Sequence, residues 1–361
     1  MNNKAILILE DGSIFEGISA GAPVTKIGEL CFNTGMTGYQ ELFTDPSYYG
    51  QMLVMTSNHI GNYGIHKLEQ ESNSPKIFGM ICREFSDKSS RPSANEELSS
   101  FLTRNNIPAI EGIDTRFLVQ YIRKHGSMNA LISSDVDNIE VLKNQLAASP
   151  KMKGLELASK VSTENAYELG DAQAKFRIAV YDFGVKQNIL NCFVERDCFL
   201  KVFNAKTPFE EIQKWNPDGL FLSNGPGDPQ PMEYAIENVK KAMAIDMPIF
   251  GICLGHQLLA LSVGAKTYKL HNGHRGINHP VKNLINGKSE ITSQNHGFGV
   301  DDESLKPLSH VEITHINLND NTIEGIRIKD KRAFSVQYHP ESSPGPHDSR
   351  YLFDDFLKML K

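Results

Sequence analysis

A cysteine stands between two glycines in the stretch GICLGHQLLA, residues 251–260. The apolar residues on either side predict a buried strand that ends at Cys253 and a helix that begins directly after it. Glycines at positions 251 and 255 permit a sharp strand-to-helix turn, the geometry that lifts a nucleophilic side chain clear of the backbone. Most cysteines are instead small buried hydrophobes. A nucleophilic role for Cys253 therefore requires a base elsewhere in the chain.

A candidate base lies in AFSVQYHPE, residues 333–341, which predicts an apolar strand that ends near His339. Residues i and i+2 of an extended chain face the same side, so Glu341 can hold one ring nitrogen while the other meets the thiol. This is the arrangement of nucleophile, base and orienting group. The ordinary alternative is a histidine at a strand end beside an exposed glutamate.

A third stretch, SNGPGDP at residues 223–229, places glycines after another predicted strand. Backbone N–H groups in such a loop can approach a ligand closely. Together with the N–H of Leu254, just after the cysteine, the loop could hold a tetrahedral oxyanion. A plain Gly-Pro turn is the alternative. The histidines of HNGHRGINHP, residues 271–280, have irregular spacing, and we expect no metal site in this chain.

Strands and helices alternate along the second half of the chain, and they must position these residues. Strands are predicted at RIAVYDFG, FLKVFNA, DGLFLSNG and MPIFGIC, and helices at KQNILNCFVERD, PFEEIQKWN, EYAIENVKKAMA and GHQLLALSVGA. The alternation predicts an α/β fold with a parallel sheet covered by helices on both faces. Ligands of such sheets bind beyond the carboxyl ends of the strands, where Cys253 and the Gly225 loop both fall.

The first part of the chain shows a different pattern of predicted strands, turns and helices. Two apolar runs flank Asp11-Gly12 and predict a hairpin, and DTRFLVQYIRKHG predicts a helix with Phe117, Leu118, Tyr121 and Ile122 on one face. Strand-like runs and glycine-rich turns complete a mixed α/β pattern.

The stretch STENAYELGDAQAKF, residues 162–176, is polar and lacks periodicity, as a linker does. We therefore expect two domains, at residues 1–165 and 176–361.

Composition excludes several classes of protein. The chain has 361 residues, of which 40% are hydrophobic and 22% charged, and its net charge is −6. A mildly acidic chain without a long basic run is not expected to bind nucleic acid or an anionic membrane. It has no apolar run of membrane-spanning length and no signal-peptide pattern, so a cytoplasmic location is expected. The five cysteines are scattered, without a CxxC pair, and predict neither disulfides nor zinc.

The three motifs LSNGPGDP, GICLGHQLLA and QYHPE together resemble the signatures of the class I (triad) glutamine amidotransferases. The similarity covers residues 176–361 and implies a mostly parallel, flavodoxin-like sheet. It further implies that Cys253 attacks the side-chain amide of glutamine, that His339 shuttles the proton and that Glu341 orients His339.

The first domain indicates which amidotransferase this is. FNTGMTGYQELFTDPSYYGQ, residues 32–51, and SNHIGNYG are similar to the N-terminal domain of carbamoyl-phosphate synthetase small subunits, and SQNHGFGV in the second domain also fits that family. The helical position of Gln257, one turn after Cys253, independently places it on the same face. The resemblance implies glutamine contacts at Ser47 in the first domain, and at Gly225, Gly227, Leu254, Gln257, Asn295, Gly297 and Phe298.

The chain offers no convincing nucleotide loop of its own. NGKS, residues 286–289, has the tail of a phosphate loop, but Lys282 stands where the first glycine should be. No cofactor is therefore expected here. The resemblance implies that ATP and a divalent metal ion act on a large synthetase subunit. This chain would form a heterodimer with it, or an oligomer of heterodimers, and pass it ammonia for carbamoyl phosphate, a precursor of arginine and pyrimidines.

Three other functions remain open from the sequence. The chain could be the glutaminase of another synthase, such as the one that makes anthranilate or guanylate. The glutaminases of those synthases, however, lack NTGMTGYQE. It could be a stand-alone cysteine hydrolase or peptidase. It could also be a non-catalytic interaction subunit, against which the intact Cys253, His339 and Glu341 argue.

Overall fold

Residues 4–360 are described in the computed structural model, and their contacts divide the chain into two units. The first unit comprises residues up to Met152 together with His271–Arg275. The second comprises Lys153–Leu270 and Gly276–Lys361. The two units part between Met152 and Lys153, before the division that the sequence predicts between residues 165 and 176. The two predicted domains stay a prediction.

The first unit is built around a closed barrel of mixed parallel and antiparallel strands. Its strands are β1 (Lys4–Leu9), β2 (Ile14–Ser19), β3 (Lys26–Asn33), β4 (Gln51–Met55), β5 (His59–Ile60), β6 (Gly79–Ile81), β7 (Glu84–Phe85), β8 (Ala109–Glu111) and β9 (Asn129–Ser133). Its helices are α1 (Tyr39–Thr44), α2 (Leu98–Arg104), α3 (Thr115–His125) and α4 (Ile139–Ala147). The barrel order is β1-β2-β8-β6-β4-β3-β9, while β5 and β7 pair separately.

The hairpin prediction for this unit is confirmed, and the helix prediction is confirmed in position but not in its whole buried face. Strands β1 and β2 pair in antiparallel register across Asp11-Gly12. Helix α3 forms where it is predicted, but only Leu118 and Ile122 of the expected face are buried. Phe117 is 49% exposed. The buried face of α3 is narrower than the sequence predicts. A short helix that packs against a barrel contacts the barrel through a single line of its side chains.

The second unit is organised around one large sheet. Its strands are β10 (Tyr167–Leu169), β11 (Phe176–Asp182), β12 (Cys198–Asn204), β13 (Gly219–Leu222), β14 (Ile249–Ile252), β15 (Thr267–Asn283), β16 (Ser289–Val300), β17 (Val311–Asn317), β18 (Ile323–Ile328) and β19 (Ala333–Val336). Its helices are α5 (Gln187–Val194), α6 (Phe209–Lys214), α7 (Glu233–Ala244), α8 (Leu254–Ser262), α9 (Asp302–Leu305) and α10 (Tyr351–Lys358).

Strands β12, β11, β13, β14 and β19 lie side by side and are all parallel. This is the 2-1-3-4-5 order of flavodoxin-like sheets, so the predicted α/β architecture is confirmed. Strands β18, β17 and β15 continue the sheet in antiparallel pairing. Helices α6, α7 and α8 bury their apolar residues against one face, and α5 and α10 against the other. The layers hold the carboxyl ends of the parallel strands at one edge.

The segment 162–176 is not a free linker. Tyr167–Leu169 forms β10, which pairs antiparallel with β12 at the edge of the large sheet, and Phe176 already begins β11. A polar sequence can form an edge strand because the pairing partner supplies its backbone hydrogen bonds while its side chains stay in water. The composition of this segment does not show that β12 will pair with it.

Candidate active site

Cys253 occupies a strained turn between β14 and α8. Its backbone has φ 54° and ψ −102°, a conformation that a residue with a side chain rarely adopts. The Cys253 N–H donates to the carbonyl oxygen of Val336 at 2.9 Å, which ties the turn to the neighbouring strand β19. Strain of this kind costs about 1–3 kcal/mol and persists only where the surroundings enforce it. The predicted strand–cysteine–helix elbow is therefore present.

The two flanking glycines have a steric reason. A Cβ at position 251 would lie 2.7 Å from the carbonyl oxygen of Gly255. A Cβ at position 255 would overlap the carbonyl oxygen of Leu222 in the adjacent strand β13. Because backbone atoms cannot move aside as a flexible side chain can, only glycine fits at either position.

His339 and Glu341 are in direct contact. His339 Nδ1 lies 2.7 Å from Glu341 Oε1, and both side chains are buried. Strand β19 ends at Val336, earlier than the sequence predicts, so strand alternation does not produce this contact. A turn after the strand does, and the His339 N–H anchors it by donating to the carbonyl oxygen of Ser293 at 2.9 Å.

Burial and charge act in opposite directions on this pair. Burial lowers the pKa of His339, but the charge of Glu341 and hydrogen bonds to Cys253 and Glu341 outweigh it and raise that pKa to about 10. Burial raises the pKa of Glu341, but the charges of Lys186 and His339 prevail and lower it to about 2. At neutral pH the pair is therefore a protonated imidazole beside a carboxylate.

The second ring nitrogen is directed to the thiol. Across residues 4–360, His339 Nε2 has no partner within strict hydrogen-bond geometry, yet Cys253 is close enough to contribute to the raised pKa of the ring. Loose geometry between nucleophile and base is common before substrate binds. The Cys253 Sγ also lies 3.6 Å from the carbonyl oxygen of Asn295.

Lys186 is a residue of this site that the motifs do not indicate. Its ammonium group donates to Glu341 Oε1 at 2.8 Å and to the carbonyl oxygen of Ser342 at 2.5 Å. The Lys186 and Glu341 side chains are 3% and 0% exposed. Because an unpaired buried charge costs several kcal/mol, the two charges depend on each other. In the sequence, Lys186 is only the first residue of a predicted helix, 155 positions away from Glu341.

The predicted oxyanion loop adjoins the elbow. A Cβ at position 225 would overlap the Phe183 carbonyl oxygen and lie 2.9 Å from Leu254 Cδ2, so Gly225 packs directly against Leu254. Gly227 has φ 94°, and a Cβ there would lie 2.7 Å from the Leu155 carbonyl oxygen. The early N–H groups of helix α8 lack intrahelical acceptors. Among these groups, the N–H of Gly255 donates to the Ser223 carbonyl oxygen. The N–H of Leu254 belongs to the residue that directly follows Cys253 in the chain.

Gln257 and the β16 residues also lie around the cysteine. Gln257 Nε2 donates to the Phe298 carbonyl oxygen at 2.9 Å and to Gln337 Oε1 at 3.0 Å. Those bonds already use its amide hydrogens, so contact with a substrate would fall to its oxygen. Asn295, Gly297 and Phe298 all lie on β16, the strand whose Asn295 carbonyl meets the thiol. Their roles as glutamine contacts stay predictions.

Ser47 belongs to the first unit. It is buried in the 3₁₀ turn Pro46–Tyr48, and its N–H donates to Asp45 Oδ1 at 2.8 Å. Its predicted contribution to the glutamine site stays a prediction.

Two family models match the chain, one in each half. The carbamoyl-phosphate synthase small chain, CPSase domain, matches residues 7–132, and glutamine amidotransferase class-I matches residues 179–359. The carbamoyl phosphate synthase small chain of Chlorobaculum tepidum is 49% identical over 359 residues, which cover 99% of this chain and 98% of that protein. The chain belongs to the carbamoyl phosphate synthase small chain family. The resemblance found in the motifs is thereby confirmed over both halves.

Other members of the carbamoyl phosphate synthase small chain family agree. That of Salmonella typhi is 46% identical over 377 residues, which cover all of this chain and 98% of that protein. The solved structure of a glutamine amidotransferase from Thermotoga maritima covers 51% of this chain and 96% of its own, at 16% identity and a TM-score of 0.40, and adds nothing to the assignment. The chain is thus the small chain of the glutamine-hydrolysing synthase, a name that implies a large partner chain. None of the helices described over residues 4–360 has the length and apolarity to cross a bilayer.

Proposed function

We propose that this small chain hydrolyses glutamine to glutamate and ammonia with Cys253 as nucleophile, His339 as acid and base, and Glu341 as the group that orients His339. The observation that carries the proposal is the 2.7 Å contact between His339 Nδ1 and Glu341 Oε1, with the other ring nitrogen directed to a cysteine on a strained elbow. Nucleophile, base and orienting group in this order are the requirement for covalent acyl transfer.

The chemistry follows from one shared proton. Cys253 and His339 hold a proton between them, which the raised pKa of His339 favours on the ring. As sulfur attacks the amide carbon of glutamine, the oxyanion forms beside the Leu254 N–H and the Gly225 loop. The protonated ring then donates to the departing nitrogen, so ammonia leaves and a thioester remains. Water attacks the thioester, His339 takes up its proton, and glutamate is released from the restored thiol.

In this proposal, the ammonia is consumed by a reaction on a second chain. We infer that a large subunit receives it through an enclosed path, because at neutral pH free ammonia is mostly protonated and no longer nucleophilic. That subunit would bind ATP and a divalent metal ion and make carbamoyl phosphate from bicarbonate, for arginine and pyrimidine synthesis. The pair would be a heterodimer or an oligomer of heterodimers. The five unbridged cysteines suit the reducing cytoplasm.

The test replaces Cys253 by alanine in the complex with the large subunit. Glutamine-dependent carbamoyl phosphate formation should be abolished, because the thioester cannot form. Ammonia-dependent formation should survive, because the proposal puts the ATP sites on the other chain. Glutamine-dependent turnover within about tenfold of wild type would overturn the nucleophile assignment, since losing covalent catalysis costs far more than one decade. Hydrolysis of esters or peptides independent of glutamine would favour a stand-alone cysteine hydrolase instead.

A further inference from the structure

A second pocket lies in the amidotransferase unit, and it shares no residue with the site around Cys253. Its volume is about 380 Å³, within the range of small-molecule sites in proteins. The tip of the β15–β16 hairpin, strands β17 and β19, and helix α10 surround it. Ile285, Phe334, Leu352 and Met359 give it apolar walls.

His315 is one of several polar residues that line this pocket, and it is only 4% exposed. Strand β17 has a β-bulge here, because the register shifts on both sides of His315. The bulge turns the adjacent Thr314 and His315 inward together, and Thr314 Oγ1 lies 2.9 Å from His315 Nδ1. Among the described residues 4–360, His315 Nε2 has no hydrogen-bond partner.

The tautomer of the ring follows from its neighbour. Burial lowers the pKa of His315 to about 4, so the ring is neutral at pH 7 and carries one proton. Thr314 Oγ1 and His315 Nδ1 share one hydrogen bond, in which either atom can be the donor. We assign the hydroxyl as the donor to Nδ1, which places the ring proton on Nε2. A buried N–H without an acceptor is destabilising, and a ligand oxygen that accepted its hydrogen bond would remove that cost.

The rim of the pocket supplies positive charge. Lys331 is exposed at the edge, on the turn that leads into β19. Arg327 also lines the rim, but its guanidinium is paired with Glu312. Asp355 is paired with Lys358 at 2.7 Å. The pocket thus combines an apolar wall, one buried donor and one exposed cation that can attract an anion.

We propose that this pocket binds a small carboxylate with a flat apolar body, whose oxygen accepts the hydrogen bond from His315 Nε2. The apolar body would lie against Phe334 and Leu352, and the negative charge would be favoured by Lys331. The proposal does not depend on the glutaminase activity, because no residue of the pocket belongs to that machinery.

The test uses 3-phenylpropionate as the probe, with the full chain and calorimetry. Two comparison compounds separate the contributions: 3-phenylpropan-1-ol lacks the carboxylate, and acetate lacks the apolar body. The acid should bind at least about tenfold more tightly than the alcohol, the usual value of a hydrogen bond to a charged group. In protein labelled with ¹⁵N-histidine, the His315 Nε2 signal should shift with the acid and hardly at all with acetate.

His315→Phe is the informative variant. It keeps a planar ring and removes an unpaired buried donor, so its melting temperature should not fall, while its preference for acid over alcohol should disappear. His310→Phe, on the same part of the chain but outside the pocket, is the matched control and should bind like wild type. Equal binding of acid and alcohol to wild type, no saturable binding in the millimolar range, or an unchanged preference in His315→Phe would each overturn the proposal. The ¹⁵N signal decides the matter in wild-type protein if the variant fails to fold.

Discussion

His339 and Glu341 contact each other, but the structure gives them different tasks. In the proposed mechanism, His339 exchanges a proton with the thiol and the substrate. Glu341 contacts the His339 ring and the buried ammonium of Lys186, and its charge stabilises both. A substitution at 339 should therefore act on the reaction, whereas one at 341 should act on the reaction and on the fold.

His339→Asn should lower glutamine-dependent kcat by about 10²–10⁴, the usual contribution of general acid–base catalysis. Ammonia-dependent synthesis in the complex should stay near wild type, and steady-state assays with both nitrogen donors would measure the two rates. Glu341→Gln should lower kcat less, because the ring keeps a hydrogen-bond partner.

The same Glu341→Gln change should lower the melting temperature more than His339→Asn does. It leaves the Lys186 ammonium buried without an opposite charge, and breaking such a pair by removing one partner costs about 3–5 kcal/mol. Thermal unfolding of both variants checks the ranking. Negligible effects of both substitutions on kcat would contradict the triad, and a fully stable Glu341→Gln protein would contradict the proposed dependence of Lys186 on Glu341.

The turn between β14 and α8 depends on its glycines because three backbone segments meet there. Gly255→Ala would force a Cβ into the Leu222 carbonyl oxygen, so β13 or α8 would have to shift. We expect poor folding, or a folded protein whose glutaminase activity falls by at least about tenfold, because small displacements of a nucleophile are costly.

Gly299→Ala is the matched control, since its Cβ would meet no atom closer than 3.6 Å. Activity and melting temperature of the control should resemble wild type. If Gly255→Ala behaved like the control in both measurements, the steric explanation of the Gly-x-Cys-x-Gly pattern would be wrong.

Stability of the whole protein should depend on pH through the buried pair. The folded-state pKa of His339 is raised to about 10, so its stabilising contribution is full below the unfolded value of 6.5 and is lost as pH rises toward 10. The pKa of Glu341 is lowered to about 2, so its contribution is present above 4.5 and is lost as pH falls toward 2.

Denaturant unfolding of wild type and His339→Asn between pH 6.5 and 10 would measure the histidine contribution. The difference in unfolding free energy between the two proteins should shrink as pH rises over this range. A constant difference would show that His339 has the same pKa folded and unfolded.

Much of the site could be inferred from residues that are close in the chain. The elbow needs only Gly251, Cys253 and Gly255 in sequence, and the His339–Glu341 contact spans two positions, so local patterns contain both. The alternation of apolar runs and amphipathic stretches likewise predicts the parallel sheet. A strand buried on both faces gives a continuous apolar run, and a helix buried on one face gives a helical period of apolar residues. The family resemblance depends on the same short motifs.

Contacts between distant segments were decided only by the path of the chain. The sequence has no sign that Lys186 pairs with Glu341, that the Asn295 carbonyl meets the Cys253 thiol, or that His315 is turned inward by a bulge. Nor does it show that the polar stretch at 167–169 is a strand, since its partner β12 lies about thirty residues on. Local propensity depends on neighbours in the chain, whereas these interactions depend on which segments the tertiary fold brings together, and on the burial that makes an unpaired charge or donor costly there.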